Sequence, residues 1–459
     1  MKIKFKNLGN VREGEIELRP LTVFIGPNNT GKTYCAYNIY GIFDEGIINI
    51  MKEDFEINSL DESINNLKEK GYVKINIKEI LREYSEKILN KSCDVFSKKL
   101  LYKFMQTKKK DLFYDTRLEI NMSKNDIEYI VSKVNNIKLE SKIGKGENET
   151  ILNITKDKNE KEMIICLNAK DKEDEKFISG LFEMGIINKI ILEVIIENVY
   201  KSIRSNIFVL PAERTTLVSV YKYLGKKGNK LADKIFNTML EDVEEKHFKE
   251  LIEHMMISSY YKYPKPIKDF IKFLENLDEL SKRFEEDEWR SDRKEFIELA
   301  ERIEEEILGG KIKLVKYEEI ATPTLEFEYK EGKSIEMHLT SSMVKELTGL
   351  VLYFKYLAVD NGLLIIDEPE MNLHPEAQVK LLEILTMAVN RGLKIIITTH
   401  SPYITDQLTN LMECYIVKDK IKDKNLKKYI FTGQKEAIIS SEKVGVYFFG
   451  EDGIIKDIL

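Results

Sequence analysis

The chain has 459 residues, a third of them charged, with 72 lysines and arginines against 78 aspartates and glutamates for a net charge of −6. That length suits a large core, in two or three structural units or in one fold with long insertions, and the acidic balance leaves nucleic-acid binding to a local basic patch rather than to the overall field. Four well-separated cysteines, Cys35, Cys93, Cys166 and Cys414, show neither CxxC spacing nor a disulfide framework, which fits a reducing cytosol and implies no zinc site.

The opening residues MKIKFKNLGN lack the apolar core of a signal peptide. The most apolar helix, Gly185 to Val199, is interrupted by Asn188, Lys189, Glu193 and Glu197, so a cytoplasmic protein without a membrane partner is expected. Alternation of Ile3, Phe5, Ile16 and Leu18 around a turn at Gly9 to Gly14 predicts a hairpin. Its Asn7, Asn10 and Arg12 either face a nucleotide base or belong to a solvated turn.

LTVFIGPNNTGKT, Leu21 to Thr33, runs from strand residues into a glycine-rich loop, and KTYCAYNIYGIF continues as a helix with Ala36, Ile39, Tyr40 and Phe43 on one buried face. This is the pattern of a P-loop. Backbone N–H groups converge on phosphate at a helix N-terminus, Lys32 reaches the β- and γ-phosphates, and the Thr33 hydroxyl is placed for Mg²⁺. Gly26, Pro27, Asn28, Asn29, Thr30, Gly31, Lys32, Thr33 and Tyr34 are the candidate nucleotide-binding residues.

Residues 44–110 read as mostly helical and end in the basic run Lys108 to Lys110, taken as a solvated face. LEINMS, KLESKI, TILNITK and MIICLN, in the stretch from Leu118 to Leu167, predict an appended antiparallel sheet. A long helix from about Phe177 to Ile203 leads into IFVLPAER, a core strand that delivers Glu213 and Arg214 to its C-terminal end, where α/β sheets bind ligands. Arg214 is there either for phosphate or a partner, or in a surface ion pair.

From Thr215 to Leu308 the charged, helix-favouring sequence predicts a helical insertion broken at YPKPI. Ile267, Phe270, Ile271, Leu274, Leu277, Leu280 and Phe284 step along one face, and Trp289 lies on a solvated helix or anchors a partner. YYKYPKP mixes aromatics with lysines as single-strand nucleic-acid sites do, but it is short. After Gly309 and Gly310, strands return. Ser341 and Ser342 then open a helix, either as a cap alone or as an anion site for a second nucleotide's γ-phosphate.

LLIIDEPEMNLHP, Leu363 to Pro375, predicts a fully buried central strand ending in two carboxylates, the Walker B pattern. Asp367 would hold Mg²⁺ largely through water, and Glu368 would orient the attacking water or take its proton. A helix from Pro375 to Asn390 precedes LKIIITTHSP, whose His400 at the strand mouth can report the γ-phosphate. The remainder reads as a strand near Cys414 to Val417 and a hairpin turning at Asp452 to Gly453. By segment, the expected α/β organisation, a P-loop ABC-type core with an appended β region and a helical insertion, is core at 1–110, β-rich subdomain at 111–175, core helix and strand at 176–214, helical arm at 215–310 and core again at 311–459.

Together GPNNTGKT, the serine-led helix, IIDEPE, MNLHP and TTHSP resemble the ABC and SMC ATPase superfamily, in particular the overcoming-lysogenization-defect (OLD) type. The resemblance covers the first 45 residues and roughly Glu326 to Leu459, with the middle matched loosely through LPAER. It implies ATP and Mg²⁺ as cofactors, Lys32, Glu368 and His400 as catalytic residues, and Thr33 and Asp367 as metal residues. It also implies Ser341 and Ser342 as a signature meeting ATP on the opposite subunit of a homodimer or higher homo-oligomer, with Asn372, His374 and Pro375 in the dimer-contacting loop. Met343 stands where many relatives have glycine, and Gln106 is a weak counterpart of the glutamine that many ABC ATPases place near Mg²⁺. OLD enzymes carry a Toprim nuclease, whereas only about 60 residues follow His400. The resemblance therefore implies an ATPase alone, similar to subunits of bacterial antiphage defence systems that act with a separately encoded nuclease or toxin. The rival is a DNA-repair or chromosome-associated SMC-like ATPase stimulated by DNA, against which stand the short arm, the missing cysteine hook and the acidic charge. The charged insertion argues against a transporter subunit, and the full set of hydrolytic residues against a purely structural protein.

Overall fold

The computed structural model describes residues 1–44, 46–51, 55–57, 60–135, 138–146, 149–221, 263–284, 287–291, 293–317, 323–421 and 423–459. The chain forms two compact units, which cut across the linear segments expected from composition. One unit comprises Met1–Lys6, Gly41–Leu100 and Asp115–Ser205, and the other Asn7–Tyr40, Leu101–Tyr114 and Asn206–Leu459.

The second unit is built on a six-stranded sheet in the order Ile455–Asp457, Val444–Phe449, Leu21–Ile25, Lys394–Thr399, Leu363–Asp367 and Ile207–Leu210. All neighbouring strands are parallel except the first pair, the expected C-terminal hairpin. Leu363–Asp367 is buried at every residue, as its unbroken apolar run requires of a strand covered on both faces. The strand that carries His400 lies between the P-loop strand and the Walker B strand, with Ile25 opposite Thr399 and Asp367 opposite Thr398. Three carboxyl ends thus meet on one edge.

The stretch expected as a strand near Cys414 is the end of a helix, Pro402–Ile416. Pro402 presets the first turn, and Ile404, Leu408, Leu411 and Cys414 recur at helical spacing on the buried face, which outweighs the short β-favouring tail. The described part of the expected helical insertion packs on the core. Lys265–Glu275 and Lys294–Arg302 are helices whose Phe270, Ile271, Leu274, Phe296 and Leu299 share one apolar cluster with Leu350, Phe354, Leu364 and Ile366. Trp289 is half-buried against that cluster and near Phe284 and Tyr356 rather than presented to a partner. Residues 222–262, including the start of YYKYPKP, lie outside the described residues.

In the first unit Lys2–Lys6 pairs antiparallel with Arg117–Asn121, so LEIN belongs to that ladder and not to the appended sheet. The sheet itself has four strands in the order Tyr72–Asn76, Glu162–Leu167, Glu149–Lys156 and Leu139–Gly146. Tyr72–Asn76 is a strand inside a stretch expected to be mostly helical: only Val73 and Ile75 point inward, too brief an alternation to stand out between two helices. The long helix expected at 177–203 is two, Lys172–Glu183 and Ile186–Ile203, divided at Gly185, whose φ of 65° ends a right-handed helix. Among the described residues no helix is long and apolar enough to cross a membrane.

Phe296 is 3% exposed and stacks on Phe354 with ring centroids 6.4 Å apart. If 294–302 is core, Phe296→Ala costs about 3–5 kcal/mol of stability in urea unfolding; a loss near zero would mark a detached arm.

Candidate nucleotide site

Asn10, Asn28, Asn29, Thr30, Gly31, Lys32, Thr33, Tyr34 and Glu368 line one cavity of about 510 Å³ at the carboxyl edge of the core sheet. The loop between Ile25 and the helix Lys32–Ile42 turns on Gly26 and Gly31, with φ of 142° and 97°. A Cβ on Gly26 would lie 2.4 Å from the Phe449 carbonyl oxygen, and one on Gly31 2.5 Å from Val11 Cγ2. Both conformation and space therefore demand glycine. Asn10 donates from Nδ2 to the Asn29 carbonyl at 2.6 Å, which brings the hairpin turn to the loop; Asn7 and Arg12 do not line the cavity.

Lys32 is turned back on its own loop, donating to the carbonyls of Gly26 at 2.8 Å and Pro27 at 2.7 Å. Burial pulls its ammonium below the ordinary lysine value, opposed by the carboxylates of Glu368, Asp367 and Glu370. A phosphate entering the loop would replace those two carbonyls as its partner.

Thr33 donates its hydroxyl to Asp367 Oδ1 at 3.0 Å, and Thr398 donates to the same oxygen. Loss of water around this fully enclosed carboxyl raises Asp367 to about 6, with the neighbouring Glu368 adding to the rise and the hydroxyls and Arg214 opposing it. Tyr37, buried beside Asp367, is likewise pushed well above its usual value, chiefly by burial. Thr33 and Asp367 fit a hard divalent cation, because a buried carboxylate beside a hydroxyl is the oxygen donor set such an ion takes. Among the described residues no group of three or more His, Cys, Asp or Glu forms a self-sufficient metal site. A cation here would draw its other ligands from phosphate and water.

Glu368 follows in the left-handed region, at φ 49°. For a non-glycine residue this conformation is strained and persists only where the surroundings over-determine it. Its N–H donates to the carbonyl and hydroxyl oxygens of Thr398 at 3.0 and 3.1 Å, while its carbonyl accepts from Arg214 at 2.8 Å. His400 is exposed and lies outside the cavity lining, with Nδ1 3.4 Å from Glu370 and 3.9 Å from Glu368. Its backbone N–H and the Thr399 hydroxyl both donate to the buried Glu370 Oε1, at 2.9 and 2.7 Å.

Ser341 caps the helix Ser342–Tyr356, its hydroxyl accepting from the Val344 N–H at 3.4 Å. Ser341 and Ser342 are exposed and absent from the cavity, so one chain does not bring them to its own P-loop. Gln106 is also absent, its amide donating to the Lys103 carbonyl. Arg214 is not available to phosphate, nor is it in a surface pair. It is buried against Glu346, which is 0% exposed, and donates to the carbonyls of Pro211, Asp367 and Glu368. Thr398, Glu370 and Glu346 were not singled out by sequence reasoning. Glu370 stands in IIDEPE and Thr398 in TTHSP, so their motifs carried a signal, whereas Glu346 lies in a helix where nothing marks it as buried.

Fold and site define a P-loop ATPase. Residues 1–405 match the AAA ATPase domain family, and the chain belongs to that family of ATP-hydrolysing enzymes. Its fold is similar to an SMC head bound to the C-terminal winged-helix domain of ScpA, at 10% identity over 100% of this chain and 96% of that chain with a TM-score of 0.35. It is similar too to an SMC head with extended coiled coil bound to the ScpA C-terminal domain from Pyrococcus furiosus (11%, 100%, 95%, TM-score 0.33) and to an SMC head domain from Thermotoga maritima (10%, 100%, 97%, TM-score 0.31). These likenesses are distant, and the assignment rests on the family match. No curated protein matches the sequence.

A carboxyl raised on folding binds its proton more tightly in the folded state. The nucleotide-free protein therefore gains stability below the ordinary carboxylate range and loses it as pH rises through about 6. Asp367→Asn is expected to melt above the wild type at pH 7.5, with the difference shrinking as pH falls from about 6 towards 4, while ATPase activity collapses. Equal melting temperatures at both pH values would contradict this.

Proposed function

We propose that two copies of the chain hydrolyse ATP at composite sites, each P-loop binding one nucleotide and each serine-led helix meeting the nucleotide on the other copy. The observation that carries the reading is the exposure of Ser341 and Ser342 at the start of a 15-residue helix, outside the cavity of their own chain. An exposed, serine-led helix N-terminus suits an anion supplied from elsewhere. Asn372 and His374, exposed on the turn after Glu368, suit contact with the second copy.

In this reading the backbone N–H groups of 28–33 and Lys32 bind the phosphates, Lys32 exchanging its loop carbonyls for phosphate oxygen. Thr33 and Asp367 would hold Mg²⁺, which neutralises phosphate charge. Glu368 orients or deprotonates water, and His400 contacts the γ-phosphate. Catalysis then comes from positioning and charge stabilisation, without a covalent intermediate. ATP clamps the two copies and hydrolysis releases them. We assign the output to control of a separately encoded nuclease or toxin in antiphage defence; what supports this is the resemblance of the motifs to OLD-type ATPases and the acidic net charge, which does not favour DNA as the primary ligand.

A mixture of two inactive variants tests the composite site. Lys32→Ala and Ser341→Ala are each inactive alone, but a mixed dimer has one intact site, so equal mixing is expected to restore about a quarter of wild-type turnover. No recovery on mixing would remove the shared-site reading. Glu368→Gln should lower kcat by roughly 10²- to 10⁴-fold while retaining ATP. When that trapped form is captured in its own host, a stoichiometric nuclease or toxin supports the effector role. DNA-stimulated turnover with a steep salt dependence, and no such protein, replaces it with the SMC-like reading.

A further inference from the structure

We infer that Arg214 and Glu346 form a positioning pair that holds Glu368 in its strained conformation and makes that conformation depend on the serine-led helix. The inference deepens the composite-site reading and rests on it for the role of Glu368.

Glu368 stands at φ 49°, held through its N–H by Thr398 and through its carbonyl by Arg214. Arg214 spreads one planar guanidinium over three main-chain oxygens: Nη1 donates to Pro211 at 2.8 Å and Asp367 at 2.6 Å, and Nη2 to Glu368 at 2.8 Å. Only a rigid fork of donors can bond consecutive carbonyls of a turn in this way; a lysine ammonium would reach fewer of them. A buried guanidinium also requires an anion, and Glu346 Oε1 provides it against the same Nη2 that holds Glu368. The other oxygen of Glu346 accepts from the Thr215 hydroxyl and, at 3.5 Å, from Asn372 Nδ2. Asn372 is itself left-handed at φ 58°, on the turn that follows Glu368. The network therefore grips that turn at Asp367, Glu368 and Asn372.

Glu346 lies four residues after the first residue of the helix Ser342–Tyr356, about one turn from the exposed serines. A shift of that helix moves the anion on which Arg214 depends, and with it the two carbonyls that set the Glu368 backbone. Contact at Ser341 and Ser342 is in this way linked to the geometry of the water-orienting carboxylate through packed, bonded groups. A merely structural ion pair would stabilise the fold without selecting the turn conformation.

The full chain and the variants E346Q, R214K and R214K/E346Q decide between these, with kcat, the dissociation constant of a fluorescent ATP analogue, and melting temperature measured together. Each single change is expected to lower kcat about 10- to 100-fold while the analogue binds within about threefold of wild type. The double variant should lose no more than about threefold beyond the worse single. A kcat for E346Q within twofold of wild type overturns the proposal, as does an equal loss of kcat and of analogue affinity, or full additivity. Should R214K fail to fold, E346Q preserves the side-chain shape, and amide exchange at Glu368, Glu370 and Met371 serves instead: faster exchange than wild type supports the pair, and unchanged exchange overturns it. Failure of the composite site is visible separately, because mixed K32A and S341A chains would then stay inactive whatever E346Q does.

Discussion

The constraint on which the site depends is a buried carboxylate at the end of a parallel strand. Among the described residues no cationic side chain is paired with Asp367 at its own oxygens. Hydroxyls of Thr33 and Thr398 come to it from the P-loop helix and from the middle strand of the three. Such a group is held in its charged form at a cost, and the neighbouring Glu368 raises that cost. The carboxylates of Asp367 and Glu368 and the inward-folded Lys32 are charges of the signs that a cation and a triphosphate would complement.

Strand order makes this possible. Because the His400 strand runs beside the Walker B strand, its terminal threonines reach the acidic turn: Thr398 meets Asp367 and Glu368, and Thr399 meets Glu370. A slip of one residue in that register would turn the hydroxyls towards the opposite face and leave Glu368 without its backbone partner. The buried acids near the edge are each given a particular counterpart, Glu346 by Arg214 and Glu370 by the Thr399 hydroxyl and the His400 N–H. Desolvation raises Glu346 above the usual carboxylate range even with Arg214 beside it, which is why removing one partner from such a network is costlier than never having had it.

Away from the edge, the middle of the chain serves the core more than its composition suggests. The acidic stretch after Phe284 reads as a solvated helix, yet Phe296, Leu299, Ala300 and Ile303 recur at helical spacing and pack on the serine-led helix and its neighbours. Lys355 on that helix is paired at 2.7 Å with Glu304, which is 2% exposed and also accepts from the Ile312 N–H. Charge content marked the segment as polar, while the apolar face was too narrow to alter its average.

What the sequence by itself determined are the features carried by neighbouring residues: the P-loop with its glycines, the buried strand ending in Asp367 and Glu368, the helix capped by Ser341, and the C-terminal hairpin. Local sterics, capping and hydrophobic period dictate each of these within a few residues. Only the tertiary structure decided what lies across the chain. It joined Arg214 to Glu346, gave Glu368 its left-handed backbone between Thr398 and Arg214, paired the N-terminal strand with Arg117–Asn121, and made Tyr72–Asn76 a strand by supplying Glu162–Leu167 as its neighbour. Such pairings depend on which distant groups desolvation brings together, and no local pattern encodes the partner of a buried charge or the neighbour of a short strand.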